Sequence, residues 1–323
     1  LSLPLFTLNL TVWGLIVTCC GILKLLLPIP GAQQRVSTLA HWAYRHWSLH
    51  NRQLIELFNK ESKEIVNIQY TDSYKVSEIL ELLNQQSSIG ADPCYIINDT
   101  KNVIVANYSG GNIIVFNKNS DGSIAEATQV IQHKGKSVNT ERQESPHVHM
   151  VQFAPNKKYV VANDLGTDKI HVYQYNPNSK SNILEIKDSV AVKPGSGPRH
   201  IAFDSKGNFA YLLQELDGGL IVFDFKKGNL VKVQETTVVA PDFKGQISAA
   251  AIAISPNGKF LYATNRGSAN DISVFKIGKK GLLEFVERVS TLGKGPRNFV
   301  IDPNGNFLLI GAVQKHGANA NAR

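Results

Sequence analysis

The chain has 323 residues, 43% of them hydrophobic, which is enough to bury a full core and excludes an intrinsically disordered protein. Its formal net charge of +8 raises the question of nucleic-acid binding. The paired lysines, however, fall at predicted hairpin turns, where charge is solvated, so we expect no nucleic-acid partner. These pairs are Lys157-Lys158, Lys226-Lys227 and Lys279-Lys280.

The first segment of the chain, residues 6–27, is almost wholly apolar, and about 20 such residues are enough to cross a bilayer. We therefore predict a transmembrane helix here, with a buried core helix as the alternative. No basic residue precedes the run, which disfavours a signal peptide. Lys24 lies near the end of the run, and Arg35 and later arginines follow it, which places the rest of the chain on the cytoplasmic side.

A second helix is predicted over residues 35–64, after prolines at 28 and 30 end the first one. Its mixture of tryptophan, leucine, histidine and arginine is typical of a helix on a membrane surface. Residues 1–66 thus form a predicted helical leader, with membrane contact through residues 6–58. The leader resembles the N-terminus of bacterial lysophospholipid acyltransferases. Their His-x-x-x-x-Asp motif is missing from this chain, so acyltransferase activity is not predicted.

The three cysteines, Cys19, Cys20 and Cys94, are too few and wrongly spaced for a disulfide framework or a zinc site. We therefore expect a cytoplasmic protein, tethered to the inner face of the membrane if the leader spans it. No metal and no cofactor are predicted.

From residue 67 onward the pattern changes to short strands that repeat. Four similar hairpin turns occur at 154–159, 204–209, 255–260 and 302–307. Successive units open at Pro93, Pro146, Pro198, Ala249 and Pro296, a step of roughly 50 residues that is typical of a β-propeller.

The predicted fold is all-β, a partial β-propeller over residues 67–323. About four complete blades can be counted, with part-blades at both ends. Each propeller blade covers only one face of its neighbour, so an open arc leaves two apolar blade faces that something else must cover.

His147 and His149 are the first candidate site residues, because residues two apart in a strand face the same way. With His200 they could form a metal site, although no carboxylate or cysteine recurs beside them. Structural imidazoles that bond to backbone at a turn are the other interpretation.

The remaining candidates are charged residues at strand ends. Arg199 follows Pro198, and Arg297 repeats that pattern; arginine offers a planar fork for carboxylate or phosphate. Glu215 sits in an apolar stretch and requires a nearby cation. Arg266 lies at the equivalent strand end of the next unit. Plain blade architecture and salt bridges between blades are the alternatives for these residues.

Six motifs, taken in order, resemble the lactonase family of seven-bladed propellers, which includes bacterial 6-phosphogluconolactonase and fungal carboxymuconate cycloisomerase. They are residues 90–94, 106–111, 146–149, 164–168, 197–200 and 265–268. The resemblance runs from about residue 75 to residue 310. The family's first blade, much of its second and its closing strands have no counterpart here, and the leader is foreign to it.

The resemblance implies the seven-bladed fold and a hydrolase that opens a small anionic sugar lactone, above all 6-phosphogluconolactone in the pentose phosphate pathway. The family's active-site positions fall on His149, Arg199, Glu215 and Arg266. We further expect substrate contacts from three neighbours, His147, His200 and Arg297.

In the expected mechanism, His149 is the general base, because a neutral imidazole titrates near working pH. Arg199 and Arg266 hold the substrate and the developing oxyanion, and Glu215 orients these cations. The alternatives are a carboxymuconate-type cycloisomerase, a non-catalytic binding platform and a truncated fusion product. The sequence predicts no oligomeric state.

Overall fold

The computed structural model describes residues 82–312 and the backbone of a short strand, β1 (Leu5–Asn9). Within residues 82–312, sixteen strands form four antiparallel sheets of four strands each, in sequence order. They are β2 (Pro93–Asn98), β3 (Asn102–Asn107), β4 (Asn112–Lys118), β5 (Ile124–Gln132), β6 (Val148–Phe153), β7 (Tyr159–Asp164), β8 (Lys169–Tyr175), β9 (Leu184–Ala191), β10 (Pro198–Phe203), β11 (Phe209–Gln214), β12 (Gly219–Lys226), β13 (Asn229–Thr237), β14 (Ala249–Ile254), β15 (Phe260–Asn265), β16 (Asp271–Ile277) and β17 (Leu283–Ser290). We name these sheets blades 1 to 4 in chain order.

A fifth sheet has three strands. The hairpin of β18 (Pro296–Ile301) and β19 (Leu308–Ala312) begins a further unit, and β1 pairs in parallel with β19. We name this sheet the part-blade. The all-β propeller architecture, with four full blades and a part-blade after them, confirms the prediction from the repeats. The predicted N-terminal part-blade lies mostly outside the described residues.

The hairpin turns that revealed the repeat join the first and second strand of each unit. The backbone N–H of Lys157 donates to the Ala154 carbonyl at 2.8 Å. The glycine of each later turn makes the same type of bond at 2.8 to 2.9 Å. Small and polar turn residues suit these tight connections, which is why the pattern was visible in the sequence.

Apolar clusters fill the spaces between successive blades, because alternate residues of a strand face opposite neighbours. Ile104 and Ile113 of blade 1 pack with Val160 and Tyr173 of blade 2. The other interfaces are built in the same way. The outermost strands are instead mostly exposed or half-buried, as in β13, where only Leu230 is buried. The core is therefore a series of layers around the axis on which the inner strands converge.

The face of blade 1 that points away from blade 2 is also buried. Val103, Val105, Ile114 and Phe116 are fully inaccessible there. The segment before the blade contributes to this cover, since the Asn84 side chain bonds the backbone of Ile124 in both directions, at 2.6 Å and 3.0 Å. The expectation that such a face needs a cover is met at this end of the arc.

The start of the predicted transmembrane helix is wrong. Residues 6–9 belong to β1, not to a helix, and their backbone pairs with β19, whose open edge would otherwise leave a row of unpaired N–H and C=O groups. The rest of the predicted helices, 10–27 and 35–64, lies outside the described residues. Within the described part of the chain, no helix is long and apolar enough to span a membrane.

Candidate active site

Each inner strand has a β-bulge near its start, and the bulged residue occupies the same place in every unit. In β10, Pro198 pairs with Gln214 while His200 pairs with Leu213, so Arg199 is the extra residue. A bulge re-aims the side chain it carries without breaking the rest of the ladder. The residues in these bulges form a ring around the axis and are Cys94, His149, Arg199, Ala250 and Arg297.

A second ring consists of the residue that follows the second strand of each blade. Its backbone N–H donates to a carbonyl just before the inner strand, at 2.7 to 2.9 Å in all four blades. The members are Tyr108, Leu165, Glu215 and Arg266. The two rings meet at the end of the propeller where the inner strands begin. We call this end the site face.

Glu215 is the centre of the charged group on the site face. Its Oε2 accepts from Arg199 Nε at 2.9 Å and lies 3.1 Å from Arg266 Nη2. Its Oε1 accepts from Arg142 Nη2 at 2.8 Å. The cation that the sequence required beside Glu215 is therefore present three times over. One carboxylate joined to three guanidinium groups leaves a net positive site.

Burial and charge act against each other in this group. Burial would raise the pKa of Glu215, but the three arginines outweigh it and lower the pKa. Burial lowers the pKa of Arg199 to about 9 despite Glu215, so the guanidinium stays charged at neutral pH. Arg199 is 2% exposed and also donates to the Ala250 carbonyl. A buried cation with fixed partners is a preorganised donor for a developing oxyanion.

His149 lies beside this group with a free nitrogen. It is 5% exposed, and its Nδ1 has no hydrogen-bond partner among the described residues. Its ring packs against the edges of Tyr108 at 5.6 Å and His200 at 5.2 Å. Burial, reinforced by Arg199, lowers the pKa of His149 well below its usual value. The expectation that it titrates near working pH is therefore wrong, because burial and then positive neighbours lower the pKa and keep the imidazole neutral.

His147 does not share the position expected for it, because β6 begins only at Val148 and strand alternation does not apply. Its Nδ1 lies 3.2 Å from the Tyr108 carbonyl oxygen and its Nε2 lies 3.2 Å from Glu144 Oε1. The ring stacks on Tyr108 at 4.4 Å. Both nitrogens are thus used within the protein, which matches the structural interpretation better than direct substrate contact.

The other two predicted contacts, His200 and Arg297, differ in how they meet the charged group. His200 Nε2 accepts from Arg199 Nη1 at 3.1 Å, and burial followed by Arg199 lowers the pKa of His200 well below its usual value. Arg297 is exposed and has no hydrogen bond or ion pair with the described residues. It is nevertheless close enough for its charge to lower the pKa of Arg266 and His149.

Two residues beside the charged group, Tyr108 and Arg142, were not predicted as site residues from the sequence. Tyr108 occupies the same repeat position as Glu215 and Arg266, so alignment of the units could have found it. Arg142 lies in the irregular loop between β5 and β6, which no other unit repeats, and its contact with Glu215 spans 73 residues of sequence. No local signal in the sequence predicts that contact.

The metal-competent side chains that converge in the described residues are not the histidines first considered. They are His133, Asp164 and His171, whose ligand atoms all lie within 4.8 Å. His133 Nδ1 donates to Asp164 Oδ2 at 2.9 Å and its Nε2 accepts from the Tyr173 hydroxyl at 2.9 Å. A metal would have to displace these bonds. The group fits a clamp between blades 1 and 2 better than an ion site.

Inner strands also line a partly open pocket of about 340 Å³, within the size range of small-molecule pockets. Tyr95, Met150, His200 and Phe299 are among the residues that line it. Of the predicted site residues it touches only His200. Arg199, Glu215 and Arg266 do not line it.

Comparison with known proteins gives a consistent result. The family described as "Lactonase, 7-bladed beta-propeller" matches residues 56–320. A 6-phosphogluconolactonase of Bacillus subtilis is 39% identical over 240 residues, which is 73% of this chain and 67% of the relative. The chain thus spans about two thirds of the length of that relative.

Two solved structures are similar in fold and sequence. One is described as a putative 6-phosphogluconolactonase from Bacteroides fragilis and is 42% identical, with a TM-score of 0.68, covering 72% of this chain and 67% of its own. The other is a periplasmic gluconolactonase from Pseudomonas aeruginosa, 38% identical, with a TM-score of 0.67, covering 69% of this chain and 64% of its own.

Proposed function

This chain belongs to the seven-bladed lactonase β-propeller family, and we propose that it hydrolyses a sugar-acid lactone, specifically 6-phosphogluconolactone to 6-phosphogluconate. The observation that carries this proposal is the buried Arg199–Glu215–Arg266 group beside the unpartnered nitrogen of His149. The similarity to proteins described as 6-phosphogluconolactonases supports the same reaction. The cytoplasmic location expected from the cysteines stays a prediction.

In this reaction a water molecule adds to the lactone carbonyl carbon, and the bond from that carbon to the ring oxygen then breaks. His149 takes the proton of the attacking water, because its free Nδ1 is a neutral acceptor. The imidazolium so formed returns that proton to the departing ring oxygen. The product is an open-chain hydroxy acid, and His149 is neutral again.

Arg199 and Arg266 stabilise the negative charge that develops on the carbonyl oxygen during water addition. Glu215 fixes both guanidinium groups, so little reorganisation is needed when the charge appears. His200 supports Arg199 through its Nε2. Arg297, exposed and unpaired within the described residues, faces the substrate with a free cationic fork.

The test is enzyme-dependent lactone hydrolysis in a pH-stat, measured above the spontaneous rate. We expect Arg199→Ala and His149→Ala each to lower kcat by about 100- to 1,000-fold, as for loss of one oxyanion donor or a general base. The matched control is Arg288→Ala, an arginine of the outermost strand β17 that donates to the Val238 carbonyl and pairs with Asp271 instead of Glu215. Unchanged hydrolysis in both site variants contradicts the assignment.

A further inference from the structure

The charge balance of the site face points to an additional ligand group. Four guanidinium groups act on one another there, since Arg142 and Arg297 both lower the pKa of Arg266, after the larger effects of burial and Glu215. Only Glu215 makes ion pairs with them among the described residues. The excess is three positive charges. A neutral lactone leaves that excess uncompensated, whereas a phosphate group offsets most of it.

Arg142 differs from the two buried arginines in its exposure. Its side chain is 41% exposed, against 2% for Arg199 and 15% for Arg266. Both of its bonds within the described residues, to Glu215 at 2.8 Å and to the Tyr108 hydroxyl at 3.3 Å, use Nη2. Its Nε and Nη1 therefore have no partner among those residues. Both nitrogens keep N–H donors that can bind oxygens of a phosphate group.

The position of Arg142 is fixed even though it lies on a loop. Gln143, the next residue, is fully buried and donates to the Leu165 carbonyl at 2.8 Å. Tyr108 is in turn held by stacking on His147. Hydrogen bonds to Glu215 and Tyr108 outweigh burial and raise the pKa of Arg142, so its charge is permanent. A cation held in place with unpartnered N–H donors is a preorganised binding group.

We propose that Arg142 forms the phosphate subsite of this active site and sets its preference for a phosphorylated over a neutral sugar lactone. The inference rests on the proposed lactonase function and adds to it the residue that recognises the phosphate group. Arg142 holds the phosphate at the mouth of the site, while Arg199 and Arg266 act on the lactone carbonyl deeper in the protein. Arg142 is therefore a specificity residue that neither the repeats nor the family motifs identified.

The experiment compares two substrates, 6-phosphogluconolactone and glucono-1,5-lactone, in the wild type, Arg142→Ala and Arg142→Lys. We expect Arg142→Ala to lower kcat/KM for the phosphorylated lactone about 10- to 100-fold, mainly through KM, as for loss of a charged substrate contact. The loss for the neutral lactone is smaller by about tenfold or more. Arg142→Lys keeps the charge without the fork and gives an intermediate loss.

The control is Lys193→Ala, which removes an exposed cation of the loop between blades 2 and 3 that pairs with Asp217 and not with Glu215. It corrects for general attraction of anions. Equal losses on both lactones in Arg142→Ala overturn the proposal, because they mean that Arg142 acts only by holding Glu215. A thermal melt of each variant accompanies the kinetics to exclude unfolding.

Calorimetric binding of the two products separates this inference from the proposed function. We expect 6-phosphogluconate to bind the wild type more tightly than gluconate, and Arg142→Ala to remove most of that difference. A wild type that opens neither lactone but shows this Arg142-dependent difference refutes the lactonase assignment and keeps the phosphate subsite. Equal binding of both products by wild type and Arg142→Ala refutes the subsite.

Discussion

His149 illustrates how the site controls protonation at the scale of one residue. Burial and Arg199 lower its pKa well below the usual 6.5, so the free enzyme holds a neutral imidazole across the physiological range. Because its pKa is lowered, the His149 imidazole becomes protonated only at a more acidic pH than an ordinary histidine. This makes it a weaker base, but one that is always in the reactive form.

We therefore predict that kcat/KM for lactone opening shows no acid limb between about pH 8 and about pH 6. The measurement is a pH–rate profile on the free enzyme at low substrate. A histidine of ordinary pKa would lose activity as pH falls through 6.5. An acid limb near pH 6.5 that is present in the wild type and absent from His149→Gln would contradict a lowered pKa for His149.

Among the site residues, Glu215 is the one whose substitution should lower the free energy of unfolding most. Glu215→Gln leaves Arg199, 2% exposed, as a buried cation without its anion. We predict a loss of about 3–5 kcal/mol in the free energy of unfolding, as for breaking a buried pair from one side, together with loss of activity. Chemical denaturation measures it.

The control for Glu215→Gln is Glu144→Gln. Its carboxylate is 55% exposed and lies 3.2 Å from His147, so its removal costs about 1 kcal/mol or less. Similar losses in the two variants would mean that the arginines are hydrated and that Glu215 does not neutralise them.

The residue scale also shows what the sequence could predict. His149, Arg199, Glu215 and Arg266 do converge, because each sits at a fixed repeat position. The titration of His149 was mispredicted, since burial and neighbouring charge depend on the packed blades. Arg142 was missed because loop geometry, not periodicity, places it.

At the scale of the element, short turns with left-handed glycines hold the second ring in place. Gly267 follows Arg266 and has φ +64°, and an added Cβ would lie 2.1 Å from the Gln246 carbonyl oxygen. Gly258, in the hairpin turn between β14 and β15, has φ +70° but open space around that position. Substitution by alanine would therefore cause backbone strain at both positions but a steric clash only at Gly267.

We predict that Gly267→Ala lowers both stability and lactone turnover, since backbone must move and Arg266 moves with it. Gly258→Ala should cost only the left-handed strain, about 1 kcal/mol, with turnover unchanged. The comparison requires a thermal melt and a kinetic assay of each variant. Equal effects on turnover would show that the turn does not position Arg266.

The strands themselves were largely predictable. Proline at the unit starts and polar residues at the turns are local signals, and they placed Pro93, Pro198 and Pro296 correctly at strand starts. The bulges were not predictable, because the bulged residue shows no local signature and differs from blade to blade. The helix expected at residues 6–9 failed because an open strand edge was available to pair with them.

At the scale of the whole molecule, stability depends on contacts between neighbouring blades. Outer strands are tied by a repeated device: Gln129 forms two hydrogen bonds with the backbone of Leu184, each 2.8 Å, and Gln234 bonds Leu283 in the same way. Blades 1 and 2 have an additional clamp in His133. The propeller is thus joined at its rim as well as through its apolar layers.

We predict that His133→Ala destabilises the protein by about 2–4 kcal/mol, because Asp164 loses its donor in a buried position. Hydrogen bonding to His133 and to backbone outweighs burial and lowers the pKa of Asp164. That stabilisation is complete above the unfolded value near 3.8 and is lost as pH falls through the folded pKa. At acidic pH we therefore expect a smaller difference in the free energy of unfolding between His133→Ala and the wild type.

The control for the clamp is His171→Ala. Its ring lies 4.3 Å from His133 but makes no hydrogen bond with the described residues, so we expect a smaller loss. Denaturation at neutral pH and near pH 3 measures both effects. An equal loss of stability in the two variants would mean that ring packing, and not the hydrogen bonds of His133, stabilises the contact between the blades.

The bulge ring has a consequence for how such a protein can change its chemistry. A bulged residue contributes no pair to the strand ladder, so its side chain can be exchanged while the neighbouring pairs stay in register. Thiol, imidazole, guanidinium and methyl groups already occupy equivalent places, at Cys94, His149, Arg199 and Ala250. The bulge positions can therefore carry different side chains on the same fold, and a new reaction requires new side chains at these positions instead of a new fold.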